Sequence, residues 1–183
     1  HLRKKLGTDQ FADVGPIKLG TAFVDQNRCL PWAMDKPCIV CEENCPLSPK
    51  AIYTEECFNT VRDGILTVKK ATDNTVEVEE TLLPDKFATG DYYCAAEGDE
   101  RRKIAENTEN TIVISSGEQF EKIPAAGSKI EVQVRLQRPL IDIEKCIGCG
   151  VCEHECPVSG RKAIRVSAEN ETRSADRKLL LKH

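Results

Sequence analysis

The run Cys146-Ile147-Gly148-Cys149-Gly150-Val151-Cys152-Glu153-His154-Glu155-Cys156-Pro157 places its thiols at the spacing Cys-x2-Cys-x2-Cys-x3-Cys-Pro. Thiolates spaced this way are the donor set of a cubane [4Fe–4S] cluster, in which three close sulfurs wrap one cluster and the last reaches a second. Gly148 and Gly150 let the backbone turn tightly between the sulfurs. A second motif must therefore exist to use Cys156. Residues Cys29 to Pro46 supply it: from Cys38 onward the positions of Cys38, Cys41, Cys45 and Pro46 match Cys149, Cys152, Cys156 and Pro157. Only the first gap differs, eight residues between Cys29 and Cys38 against two between Cys146 and Cys149. The spacing assigns Cys29, Cys38, Cys41 and Cys156 to one cluster, and Cys146, Cys149, Cys152 and Cys45 to the other. Two [4Fe–4S] clusters are thus the expected cofactors.

Ten cysteines in 183 residues also raise disulfides and zinc. A disulfide framework does not need two Cys-x2-Cys groups ending in Cys-Pro. Structural zinc usually takes two separated pairs, whereas these thiols come in tight groups.

The elements that must position the thiols repeat as well. Phe23-Val24-Asp25-Gln26-Asn27-Arg28-Cys29 parallels Leu140-Ile141-Asp142-Ile143-Glu144-Lys145-Cys146, and Lys50-Ala51-Ile52 parallels Lys162-Ala163-Ile164. Each half reads as strand, cluster loop, short helix, strand, a duplicated unit. Crossed ligation would staple the halves, so the apoprotein is expected to lose its fold. The widened loop, with Pro31, Trp32 and Pro37, is placed to shield one cluster or simply to pack. Because burial and hydrogen bonding set cluster potential, the two clusters are expected to differ electrochemically.

Between the motifs the pattern changes. Ile130, Val132, Val134 and Leu136 alternate with Lys129, Glu131, Gln133 and Arg135, a half-buried strand. Shorter strands are expected at 65–68, 75–82, 91–94 and 111–115, with turns at 73–74, 98–99, 107–110 and 116–117. The expected class is α+β: a ferredoxin-like duplicated dicluster domain with a β-rich insertion, either an antiparallel sheet or a small barrel. The boundaries are 1–57 for the first half, 58–138 for the insert, and 139–183 for the second half and a C-terminal arm. The insert has no histidine, no phosphate-binding glycine loop and no paired acid and base. It reads as a docking platform or as a cover over the clusters. Cys57 and Cys94 are left over, as buried inert thiols or, in an oxidising compartment, a disulfide. His154 occupies no ligand position and reads as a solvated helix residue.

A formal charge of −4 without a basic stripe argues against nucleic acid as a partner. Glu42, Glu43, Glu153 and Glu155 suit a basic partner surface, or simply form a solvated face. No run of about 20 apolar residues is present, so no transmembrane segment is expected. The sequence opens at His1 without a signal peptide, as expected of a processed form or a piece of a longer product.

The Arg28-Cys29-Leu30-Pro31-Trp32 opening, the Pro37–Glu43 loop and the Ser48-Pro49-Lys50-Ala51-Ile52 exit resemble the polyferredoxins related to periplasmic nitrate reductase and to methylamine-utilisation accessory proteins. The Cys146–Pro157 run with Ala163-Ile164-Arg165-Val166 is similar to their last cluster module. The resemblance covers both ends of the chain but not its middle, and implies an electron-transfer protein, often with further clusters and often exported to the periplasm. A cytoplasmic location is the alternative. Three functions are in view. The first is a non-enzymatic electron carrier, relaying single electrons between redox partner proteins, with a larger oxidoreductase or membrane-associated complex as partner. The second is the small subunit of a molybdenum, tungsten or flavin oxidoreductase whose catalytic site lies on another chain. The third is a protein whose clusters only hold the fold or sense oxygen.

Overall fold

The computed structural model describes residues 17–96 and 100–172. Its elements, in chain order, are β1 (Thr21–Val24), α1 (Leu30–Ala33), α2 (Val40–Glu43), β2 (Ile52–Ala71), β3 (Thr75–Val78), β4 (Tyr92–Ala95), β5 (Arg101–Asn107), β6 (Thr111–Ile114), β7 (Lys129–Ile141), α3 (Val151–Glu155) and β8 (Ile164–Ser167). The helices are single turns of four or five residues, so the described chain is dominated by sheet and the α+β expectation needs correcting. The cluster loops explain why. α3 cannot begin before Gly150, whose φ of 81° is left-handed, and it stops at Cys156 ahead of Pro157.

The chain divides into two compact units. One comprises residues up to Met34, Ile39–Glu55 and Arg138 onward; the other comprises Asp35–Cys38 and Glu56–Gln137.

In the first unit β1 and β8 pair antiparallel, Ala22 opposite Val166 and Val24 opposite Ile164. The repeated flanks make matching hydrogen bonds. Asp25 N–H donates to the Ala163 carbonyl at 2.6 Å, and Asp142 N–H to the Ala51 carbonyl at 2.7 Å. Cys29 N–H returns to the Asp25 carbonyl and Cys146 N–H to the Asp142 carbonyl, both at 3.0 Å. Each aspartate thus ends an extended segment, bonds to the strand leaving the opposite motif, and turns the chain into its own first cysteine. Ala22, Ala51, Ile52, Ala163 and Ile164 fill the interior together with the buried thiols.

The second unit is a closed barrel of order β2-β3-β6-β5-β4-β7. The chain enters and leaves it on neighbouring strands, so the insertion costs little loop-closure entropy at its ends. The alternation expected in β7 is realised: Ile130, Val132, Val134 and Leu136 are each 1% exposed or less. They join Leu66, Val68, Val76, Ile104 and Ile112 among the fully buried side chains, filling the barrel as small barrels require. Three expectations need correction. β3 ends at Val78, because Glu80 leaves the ladder and accepts the Thr67 N–H at 2.8 Å. β2 is a single strand of 20 residues starting at Ile52. β5 was not foreseen, and Asn107, read as a turn residue, is its buried last residue. The Asn107 carboxamide donates to the Leu83 carbonyl and accepts from Phe87 N–H, both at 2.8 Å, holding the 83–87 loop. The expected turn at 98–99 and most of the C-terminal arm lie outside the described residues, although Thr172 Oγ1 is tied to Lys18 at 2.6 Å.

Candidate functional site

Local chain geometry places the second motif's sulfurs. The Asp142 turn delivers Cys146, the left-handed Gly148 and Gly150 carry the chain past Cys149, and α3 presents Cys152. A Cβ on Gly148 would lie 2.6 Å from the Gly20 nitrogen, so only glycine lets this loop close onto the chain entering β1. From the other half, Cys45 arrives just after α2. These four cysteines line one pocket in the first unit, whose remaining wall includes Ala22, Leu47, Ile52 and Val166. Cys146 and Cys152 are buried, Cys45 is half-buried, and Cys149 is exposed, so the cavity meets solvent at Cys149.

The donor set fits an iron–sulfur core. Burial pushes the Cys152 thiol up to about 12, and the neighbouring Cys146 and Cys149 push it further in the same direction. Thiols crowded in an apolar wall resist ionising together unless positive charge lies between them, which a cluster's iron supplies. Among the described residues no three His, Cys, Asp or Glu side chains gather on a point suited to one metal ion. The four cysteines are instead spread along the wall of a pocket.

Of the other cysteines of the two motifs, Cys29, Cys41 and Cys156 are buried in the same apolar cluster as Cys146 and Cys152. Cys38 is half-buried and falls with the second unit. In the widened loop Pro31 opens α1, and Trp32 packs against the cluster of buried thiols. The Trp32 indole donates to the Pro139 carbonyl at 3.4 Å, with the Arg138 guanidinium 4.8 Å from its ring centre. Cys94 lies in the barrel interior, its thiol pushed up to about 12 by burial, which makes it inert. Cys57 and Cys94 are both thiols rather than a disulfide.

Two sets of residues gain roles that cysteine spacing does not reveal. Glu42, one residue after Cys41, accepts from Thr54 Oγ1 at 3.0 Å; Glu153, one residue after Cys152, accepts from Val166 N–H at 2.8 Å. Each glutamate ties the helix bearing a motif's third cysteine to the strand that leaves that motif. These two carboxylates therefore serve the fold and are not simply a solvated face. His154 is exposed as expected, with Nδ1 2.9 Å from a Glu155 oxygen. The second set is in β1, where Ala22 N–H points at Cys146 Sγ at 3.4 Å. The only signal for the glutamates in the sequence is the repeat itself, which aligns Glu42 with Glu153, and none points to Ala22.

Residues 137–158 match a family model described as a 4Fe-4S binding domain. No curated protein and no solved structure matches the chain. The chain therefore carries a 4Fe–4S ferredoxin-type module, which points to an iron–sulfur electron-transfer role. Among the described residues no helix is long and apolar enough to cross a membrane.

Proposed function

We propose that the protein is a two-cluster electron carrier that works as a subunit or partner of a larger redox complex and does no catalysis of its own. In this reading Cys146, Cys149, Cys152 and Cys45 hold one [4Fe–4S] cluster, and Cys29, Cys38, Cys41 and Cys156 hold the other. The observation that carries it is the cavity whose wall joins three thiols of one motif to Cys45 of the other. A thiol from the opposite half of the chain at this wall supports motifs that trade their last cysteines. When bound, the clusters supply reversible one-electron storage. The protein's part is to hold the thiolates ionised, to exclude water with the Ala22, Leu47, Ile52 and Val166 wall, and to leave Cys149 at the surface. Glu42 and Glu153 fix the helices so that the sulfur positions do not relax between redox states.

The purified holoprotein should contain about eight iron and eight sulfide per chain. Cys156→Ser should damage the cluster held by Cys29, Cys38 and Cys41 and leave the other intact by EPR. Content near four iron, or loss of the Cys146 cluster from Cys156→Ser, would refute the crossed assignment. Absence of reversible reduction in an EPR-monitored titration would favour a structural or oxygen-sensing role instead.

A further inference from the structure

We propose that Ile17 and Leu19 form a docking patch beside the Cys146 site, for a redox protein whose own contact face is apolar rather than basic. This names the partner for the electron-carrier reading above and rests on it. How the segment entering β1 is held carries the inference. Lys18 N–H donates to Thr172 Oγ1 at 2.6 Å, and Thr172 N–H returns to the Lys18 carbonyl at 3.1 Å. The Lys18 ammonium donates to the Ile143 and Glu144 carbonyls at 3.1 and 2.8 Å. Leu19 N–H donates to the Ile147 carbonyl at 2.9 Å, which fastens it to the loop that carries Cys149. While Lys18 is tied down, the side chains flanking it face water: Ile17 is 60% exposed and Leu19 65%. Single exposed aliphatics are ordinary. Two on one tethered segment, bonded to the loop of an exposed thiol, are a different matter. So exposed, they contribute little to the fold, because burial is what makes an aliphatic stabilising.

Their surroundings carry little charge. The pocket that Cys149 lines has no charged side chain in its wall, and Pro46, exposed on the other motif, lines it too. Lys145 pairs with Asp142, which leaves Glu144 as the one unpaired charge of residues 142–150 among the described residues. Such a patch gives a basic partner little to hold. It suits the core of an interface, where charged residues are depleted. A segment fixed beforehand also avoids the ordering cost of binding. In use, one electron passes from this site to the partner's centre; the site is oxidised and the centre reduced, with no bond made or broken and no proton moved.

The test is voltammetry of the loaded holoprotein on gold coated with methyl-terminated or amine-terminated alkanethiols, as apolar and basic surfaces. Electron exchange should occur on the methyl surface and persist to about 1 M salt, where charges are screened beyond about 3 Å. The double variant Ile17→Ser/Leu19→Ser should exchange roughly tenfold more slowly or worse, having lost two aliphatic contacts, with iron content and solution midpoint unchanged. Leu83→Ser/Ile123→Ser, which removes two exposed aliphatics of the barrel unit, should behave as the wild type. Exchange confined to the amine surface and lost with salt would reveal a basic partner and overturn the proposal. An unaffected Ile17→Ser/Leu19→Ser variant, or equal loss in both double variants, would overturn it as well. So would sedimentation of the holoprotein as a dimer that Leu19→Ser dissociates, because a second copy would then cover the patch. Absence of reversible reduction in solution, even with a mediator, would overturn the electron-carrier reading itself, a result distinguishable from reversible reduction without exchange at the methyl surface.

Discussion

Glu131 sits on the outside of β7, where Thr60 Oγ1 donates to its carboxylate at 2.6 Å and Gln133 Nε2 at 3.1 Å. The Thr60 hydroxyl, then Gln133, hold its pKa below the ordinary glutamate value of 4.5, with partial burial opposing them and Arg101 assisting. A carboxylate with a depressed folded value stabilises the fold fully above its unfolded pKa, and that contribution is lost as pH falls through the lowered one. NMR titration should therefore place the Glu131 midpoint below 4.5. Thr60→Val should move it upward, and an unmoved midpoint would mean that the hydroxyl is not the cause. The same reasoning separates the two kinds of cysteine. Cys94 lies among barrel aliphatics with nothing to compensate a charge, whereas Cys152 shares a wall with thiols that a cluster could neutralise together.

Among the elements, the segment 146–150 tolerates little change. Gly148→Ala would add a methyl carbon 2.6 Å from the Gly20 nitrogen at a residue whose φ is 69°. Backbone strain of this kind costs ~1–3 kcal/mol. The denaturation midpoint of the loaded protein should fall accordingly, and the cluster at Cys146 should load poorly while the other remains; equal stability and loading would show that β1 can yield. How far each element was legible follows from the same physics. β7 was readable because one face of it is continuously apolar. β5 was not, since Arg101, Arg102 and Lys103 precede its single interior aliphatic, Ile104, and its register shifts between Ile104 and Glu106. Asn107 looked like a turn because asparagine usually is one; only a burial of 1% exposure shows it bonding inward. The second cysteine motif was legible through its spacing, and residues 137–158 are the stretch that matches a 4Fe-4S binding domain. The amides of Ala22 and Val166 were not, because which way an amide faces depends on strand register, and local sequence does not carry that.

At the scale of the whole molecule the two units depend on different sources of stability. The barrel has its own apolar interior, from Leu66 through Val132, without any proposed ligand. The other unit has an interior built in large part of thiols, where metal binding is also folding energy. Removal of iron by a chelator under reducing conditions should therefore expose one unit selectively. Hydrogen exchange should become fast at residues 19–33, 40–55 and 140–167, while the amides of β3, β6 and the first part of β7 stay protected. Uniform loss of protection would show that the barrel cannot stand without the clusters. This narrows the expectation that the entire apoprotein unfolds.

A barrel that closes on itself offers no row of unpaired backbone groups. Every one of its strands has neighbours on both sides. An open strand edge would invite a lasting backbone-to-backbone zipper with another protein or with another copy of this one, which the brief encounters of the proposed electron carrier could not use. Closure removes that hazard from the largest sheet in the molecule. Whatever touches this unit must do so through side chains and loops, by contacts that can be made and broken quickly.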